Sequence, residues 1–318
     1  MQAEPLLQWS DPVKEFVGFV SQFLALGAIG FRYAAVRHRL RPPREPAAAD
    51  LDFEPEHVIY GDAAQRAASI GVAGALVQLL IFMTALPDAA ARAHVSADYL
   101  LTHDAMTIAQ FVLAVAAVLG FALAAVRRQI GWPIAAVGVI VGPLTGIVTG
   151  KWSRLVNPAH RIVGGLWIGT LFVLVFAGLV LLLRDVRVRN RRGAMAADLV
   201  NGFSPLALTC GMLLVASGLI TAWNHLNPLS SLWTTPYGYA LIAKLCVVAI
   251  VFALGAWNWR RQRPLLGTED AAHALRRSAT KELLAATVVL MITAVLVSLP
   301  SPKPPARPGS PPPAAPAP

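Results

Sequence analysis

The chain has 318 residues, of which 56% are hydrophobic and 14% charged, and its formal net charge is +10. So few charges leave too little polar surface to clothe a water-soluble protein of this length, and the apolar residues lie in runs long enough to cross a bilayer. The basic excess sits in short links between those runs. That placement argues against a nucleic-acid binder and follows the bias of membrane-protein loops.

Each run is about 20 residues, and at 1.5 Å per residue that matches the roughly 30 Å of a hydrocarbon core. The runs do not alternate with period two, so closed helices are expected rather than barrel strands. The predicted fold is an all-α polytopic membrane protein, a bundle of eight transmembrane helices. In chain order the spans are predicted at 13–36, 63–86, 104–126, 130–150, 160–183, 204–223, 237–259 and 280–299. The N-terminal stretch MQAEPLLQWSDP is acidic and lacks the basic n-region of a cleaved signal peptide. The Pro-rich end, 301–318, is expected to be disordered or polyproline-like. Residues 1–200 are read as a five-helix region and 201–300 as a three-helix region.

Orientation follows from Lys and Arg. Most of the 27 fall in the links 31–66, 127–129, 184–203 and 260–281, which are assigned to the cytoplasm. Both termini are then periplasmic. In the fourth span Gly138, Gly142, Gly146 and Gly150 recur every fourth residue, and Gly165 and Gly169 repeat the pattern in the fifth. Both strips read as close helix packing, with a kink at Pro143. Cys210 and Cys246 lie in apolar runs at different depths and read as small packing residues.

The stretch from Asn201 to Pro300 carries an ordered set of polar marks. Phe203-Ser204 opens one helix and Ser217-Gly218-Leu219 lies near its end. Thr235-Pro236-Tyr237-Gly238 opens the next, with Lys244 inside it and Asn258 closing it. Arg277-Ser278 and Glu282 then open the last helix, which ends at Leu299-Pro300. With these spacings the region resembles the CopD family of bacterial inner-membrane copper proteins. The segment NPAHRIVGGLWIGTL is similar to another family feature, a His opening a helix with Trp167-x-Gly169 after it. The resemblance implies copper transport or handling across the bacterial inner membrane, with copper as ligand. It also implies receipt of copper on the periplasmic side, from a small soluble carrier. An assembly factor that delivers copper to an oxidase fits the same sequence.

Of the seven histidines, His38, His57 and His273 fall in cytoplasmic links. His94, His103, His160 and His225 all fall on the outer side. Met106 follows His103 by three residues, a spacing that shares one face of a helix, and Met83 is near the outer end of the second span. Imidazole and thioether suit copper, the thioether selecting Cu(I). His103, Met106, His160, His225 and Met83 are therefore the candidate ligands, with His94 as a capture residue. The competing reading takes each as an interfacial or packing residue. At the head of its helix, His160 would feel the positive end of the macrodipole and stay neutral.

Lys244 and Glu282 are charges within apolar runs and, with Asn258, are candidates for a transport role. Their alternatives are a snorkelling lysine and a first-turn helix acid. No phosphate-binding glycine loop, nucleophile elbow or HExxH is found, so no enzyme activity is expected. A different class, a haem- or quinone-linked redox protein with His160 and His225 as axial ligands, stands beside the copper reading.

Overall fold

The computed structural model describes residues 9–40, 53–147, 153–225, 230–258, 260 and 267–299. The tail 301–318, Gly150 and the links 41–52 and 261–266 lie outside them. Among the described residues there are helices and no β-strand. Helix α1 is Ser10–Gly30 and runs on as a wide π turn, Phe31–Ala35. Then follow α2 (Phe53–Arg92), α3 (Ala97–His103) and α4 (Ala105–Ala125). Helix α5 (Gly131–Val141) tightens into a 3-10 stretch, Gly142–Ile147. Helix α6 covers 153–184, with π turns at Gly165–Gly169 and Leu174–Leu179. Next come α7 (Arg192–His225), the single turn α8 (Ser231–Thr234), α9 (Pro236–Trp257) and α10 (Glu269–Ser298).

Seven of these helices are long and apolar enough to cross a membrane. The predicted fourth span is instead the short α5 and its 3-10 continuation. Several helices outrun their apolar runs: α7 starts at Arg192 rather than near 204, and α10 at Glu269 rather than near 280. The segments before these runs are rich in Ala, which favours helix, whereas hydropathy marks only the part that lipid surrounds.

The centre of the bundle is the pair α1 and α6, around which α2, α7 and α10 pack, while α4 and α5 form a hairpin laid on α2. Glycine lets the central pair touch backbone to backbone. A Cβ on Gly169 would lie 1.9 Å from the Phe23 carbonyl oxygen, and one on Gly27 would lie 2.2 Å from the Gly169 carbonyl. This is the close packing predicted for Gly165 and Gly169. The α4–α5 hairpin has its own crossing, where a Cβ on Gly138 would lie 2.5 Å from the Leu113 carbonyl oxygen. The predicted four-glycine face ends there: Gly142 already has ordinary clearance, because the helix winds to 3-10 at that residue.

Salt bridges stitch the basic ends together. Arg39 pairs with Asp198, Arg191 with Glu56 and Arg127 with Asp62, each at 2.6 Å, and Arg192 pairs with Glu269 at 2.5 Å. They join the turn after α1 to α7, the 3-10 turn before α7 to α2, the α4–α5 turn to α2, and α7 to α10. The Arg39–Asp198 and Arg127–Asp62 pairs are partly exposed and stabilise by about 1 kcal/mol or less each, whereas Glu56 and the Arg192 side chain are largely buried in theirs.

Candidate functional site

Helix α9 begins where the sequence caps it. The Thr235 side chain accepts the Gly238 backbone N–H at 3.0 Å, and Pro236 occupies the first helical position, where no N–H is required. Only Gly238, Leu241 and Val251 of α9 are buried. Phe252 anchors it, with its ring 5.2 Å from that of Trp167 on α6 and its edge against Gly211 on α7.

At the end of the bundle near the start of α6, three helices bring polar groups together. His160 Nδ1 lies 2.8 Å from Ser217 Oγ of α7. The Ser217 hydroxyl is directed at the Leu213 carbonyl, 2.7 Å away. With that proton committed, the network assigns the imidazole proton to Nδ1, and Nε2 carries the lone pair. Gly218 sits opposite the ring; a Cβ there would lie 3.6 Å from His160 Cε1. Lys244 of α9 is within electrostatic range of His160. Among the described residues, neither His160 Nε2 nor the Lys244 ammonium has a hydrogen-bond or ion-pair partner. One expectation for His160 is corrected: α6 starts at Ser153, so His160 lies two turns in, beyond the reach of the helix-end dipole.

At the opposite end of α9 the polar groups are fully engaged with one another. Asn258 donates through Nδ2 to Glu282 Oε2 at 3.1 Å, and the Ser278 hydroxyl donates to Asn258 Oδ1. Glu282 is buried, 5% exposed, and its Oε1 faces Gly255, which has no side chain to obstruct it. The reading of Glu282 as a first-turn acid is therefore corrected, since α10 starts thirteen residues earlier at Glu269. Lys244 and Glu282 form no ion pair, as their separation in depth predicts.

The remaining candidates are dispersed. His103 ends α3, exposed and stacked on Tyr99 at 4.4 Å. Asp104 then takes an extended conformation and caps α4, so Met106 belongs to the next helix. The expected same-face pairing of His103 and Met106 fails because a helix ends between them. Met83 is 40% exposed on α2, and His94 is exposed in a left-handed turn with φ 56°. His225 closes α7, but its side chain lies outside the described residues, so the axial-ligand pair with His160 does too. Among the described residues no three His, Cys, Asp or Glu side chains cluster as a metal site. Cys210 is buried and Cys246 exposed, both as free thiols. On the other side, His57 contacts the Arg39 carbonyl at 3.2 Å, and His273 lies 3.9 Å from Glu269.

Sequence reading did not assign roles to Ser217, Gly218, Ser278 and Gly255. The first three stood among the quoted marks; their spacing from His160 and Asn258 along the chain gave no sign of contact.

The fold and these polar groups define an all-α protein with several membrane-length helices. Residues 197–296 match the family model of CopD, copper resistance protein D. The matched region is about a third of the chain's length. It is also similar to the Copper transport protein CutJ of Bacillus subtilis (strain 168), 30% identical over 152 residues, which is 48% of this chain. The matched part spans 26% of that relative. No solved structure matches the chain.

Proposed function

We propose that this protein moves or hands on copper at the bacterial inner membrane, and that His160 is the first protein ligand a Cu(I) ion meets. The observation that carries the reading is the half-buried imidazole whose Nδ1 is held by Ser217 while Nε2 has no protein partner. A metal-binding histidine is ordinarily oriented through its second nitrogen in this way. The contact lies on Ser217-Gly218, inside the region that matches copper resistance protein D, and the related protein is named for copper transport.

Lys244 sharpens the reading. An ammonium close to a cation site lowers affinity. That suits a site from which copper moves on, and it would disfavour permanent storage. Further ligands from His103, Met106, His225 or Met83 would have to approach on loading. A soluble periplasmic carrier is the proposed donor, and the protein acts as a conduit rather than as an enzyme.

Eight crossings with periplasmic termini remain the proposed topology. Eleven residues of α-helix and six of 3-10 helix extend about 28 Å, close to the roughly 30 Å core. The test is Cu(I) competition titration of the purified chain. His160→Ala should weaken binding at least tenfold, while His273→Ala should leave it unchanged. Equal affinity of His160→Ala and the unaltered protein would remove His160 from the route. Reporter fusions at Pro318 and within 187–200 should read outside and inside respectively.

A further inference from the structure

Where α9 ends and the apolar part of α10 begins, the two helices leave an open groove of about 350 Å³ between them. Leu254, Trp257 and Ala274 form its apolar wall, and Arg277, Ser278 and Lys281 its polar rim. Arg277 and Lys281 are four residues apart, so they stand on the same face of α10. Both are exposed, and among the described residues neither has an ion-pair partner. That sets them apart from Arg39, Arg127, Arg191 and Arg192, each of which holds an Asp or Glu. The acid nearest in sequence does not neutralise them, because Glu282 is turned inward onto Asn258 and is 5% exposed.

The depth of the groove is set by composition. Trp257 closes the apolar run of α9, and LLAATVVL starts just after Glu282. The groove therefore sits at the boundary between hydrocarbon and headgroups, where an indole is at home. Two uncompensated cations at that level, beside an apolar wall, complement a ligand with an anionic head and an acyl tail. Basic recesses between membrane helices recognise lipid headgroups by this combination.

We propose that this groove is a binding site for an anionic phospholipid. Its phosphate lies between the Arg277 guanidinium and the Lys281 ammonium, and its glycerol and upper acyl chain lie along Leu254 and Trp257. The Ser278 hydroxyl proton is committed to Asn258, so the two cations supply the donors. Since Asn258 is bonded to both Ser278 and Glu282, occupancy of the groove bears directly on the position of the inner end of α9.

The test uses the full chain in neutral detergent and counts bound lipid by native mass spectrometry during titration with dioleoylphosphatidylglycerol or dioleoylphosphatidylcholine. The unaltered protein should retain phosphatidylglycerol in clear preference to phosphatidylcholine. The double variant Arg277→Gln, Lys281→Gln should bind it at least tenfold more weakly, as it loses both of the cations that hold the phosphate. A charge-matched control, Arg128→Gln with Arg189→Gln, removes two exposed cations elsewhere and should retain binding. Equal retention of both lipids by the unaltered protein would overturn the proposal, as would equal phosphatidylglycerol affinity of the double variant and the control. Displacement of the lipid by inorganic phosphate at matched concentration would overturn the choice of a lipid as occupant.

Discussion

Helices α6 and α9 are both long and apolar enough to cross a membrane, yet they are held in opposite ways. Helix α6 is locked to α1 by backbone contact at Gly27 and Gly169, and most of its span is buried. Helix α9 packs along α10, has three buried residues and reaches α6 and α7 mainly through Phe252. Lipid offers no hydrophobic gain for helix association, so closeness of packing decides what is rigid. The stable element thus presents His160, and the loosely held one presents Lys244. A small displacement of α9 changes the field at His160 without disturbing the central pair.

The contrast breaks first, and with the largest effect, at the crossing. Gly169→Val puts carbon where the Phe23 carbonyl stands and should cost about 3 kcal/mol or more, since backbone cannot step aside as a side-chain tip can. Loss of the monodisperse species in size-exclusion chromatography is the expected readout; a normally folded Gly169→Val protein would mean that the crossing is not what holds the bundle.

A smaller loss is expected at the Asn258 end of α9. Glu282→Ala leaves Asn258 without its acceptor and should lower stability by about 1–3 kcal/mol, visible as a lower thermal midpoint. Glu282→Gln keeps an acceptor oxygen and should recover most of it. If the two variants melt alike, the hydrogen bond is not the source.

At the end of α9 near His160 the effects should pass from stability to binding. Ser217→Ala frees the ring of His160 and should weaken Cu(I) about tenfold while moving the thermal midpoint little. Lys244→Met removes the neighbouring cation, so Cu(I) should bind several-fold more tightly and leave more slowly, which stopped-flow transfer to a chelator would register. Faster release from Lys244→Met would reverse the role given to this lysine.

The smallest expected effect lies away from both helices, at the α3–α4 corner. The Thr107 hydroxyl and backbone N–H bond the Asp104 carboxylate at 2.6 and 2.8 Å, and hold its pKa below the ordinary 3.8. A depressed carboxyl pKa adds stability that is present above the unfolded value and lost as pH falls through the folded one. Amide exchange at the start of α4 should therefore be flat from pH 8 to 5, after correction for intrinsic rates. Protection should fall only below about 4. Loss of protection already near pH 6 would point to a histidine instead.

Much of this was legible in the sequence, for reasons that differ by residue. Apolar runs reveal what lipid surrounds, so α1, α4 and α9 fell close to prediction. Hydropathy does not report where a helix stops, and α7 and α10 therefore extended into basic segments. Thr235-Pro236 announced its cap because capping is local chemistry. The meeting of His160 with Ser217, 57 residues along the chain, is not local, and neither is that of Asn258 with Glu282. His103 and Met106 misled because Asp104 is itself a strong cap: the residue that starts α4 also ends the face they were expected to share.

Helix α2 gives the molecule a ruler. Its 40 residues reach roughly 60 Å, about twice the hydrocarbon thickness. Its charges bracket an uncharged stretch, with Asp62 and Arg66 before it and Asp88 and Arg92 after it. Residues 67–87 between them measure about 31 Å along the axis. Asp62 is tied to Arg127 on the α4–α5 turn, so α2 does not slide independently of the hairpin. A thicker bilayer must therefore thin around the protein or draw Asp88 into lipid, and a thinner one must be met by tilt. The protein is thereby matched to one membrane thickness, and hydrophobic mismatch becomes a force on the whole bundle.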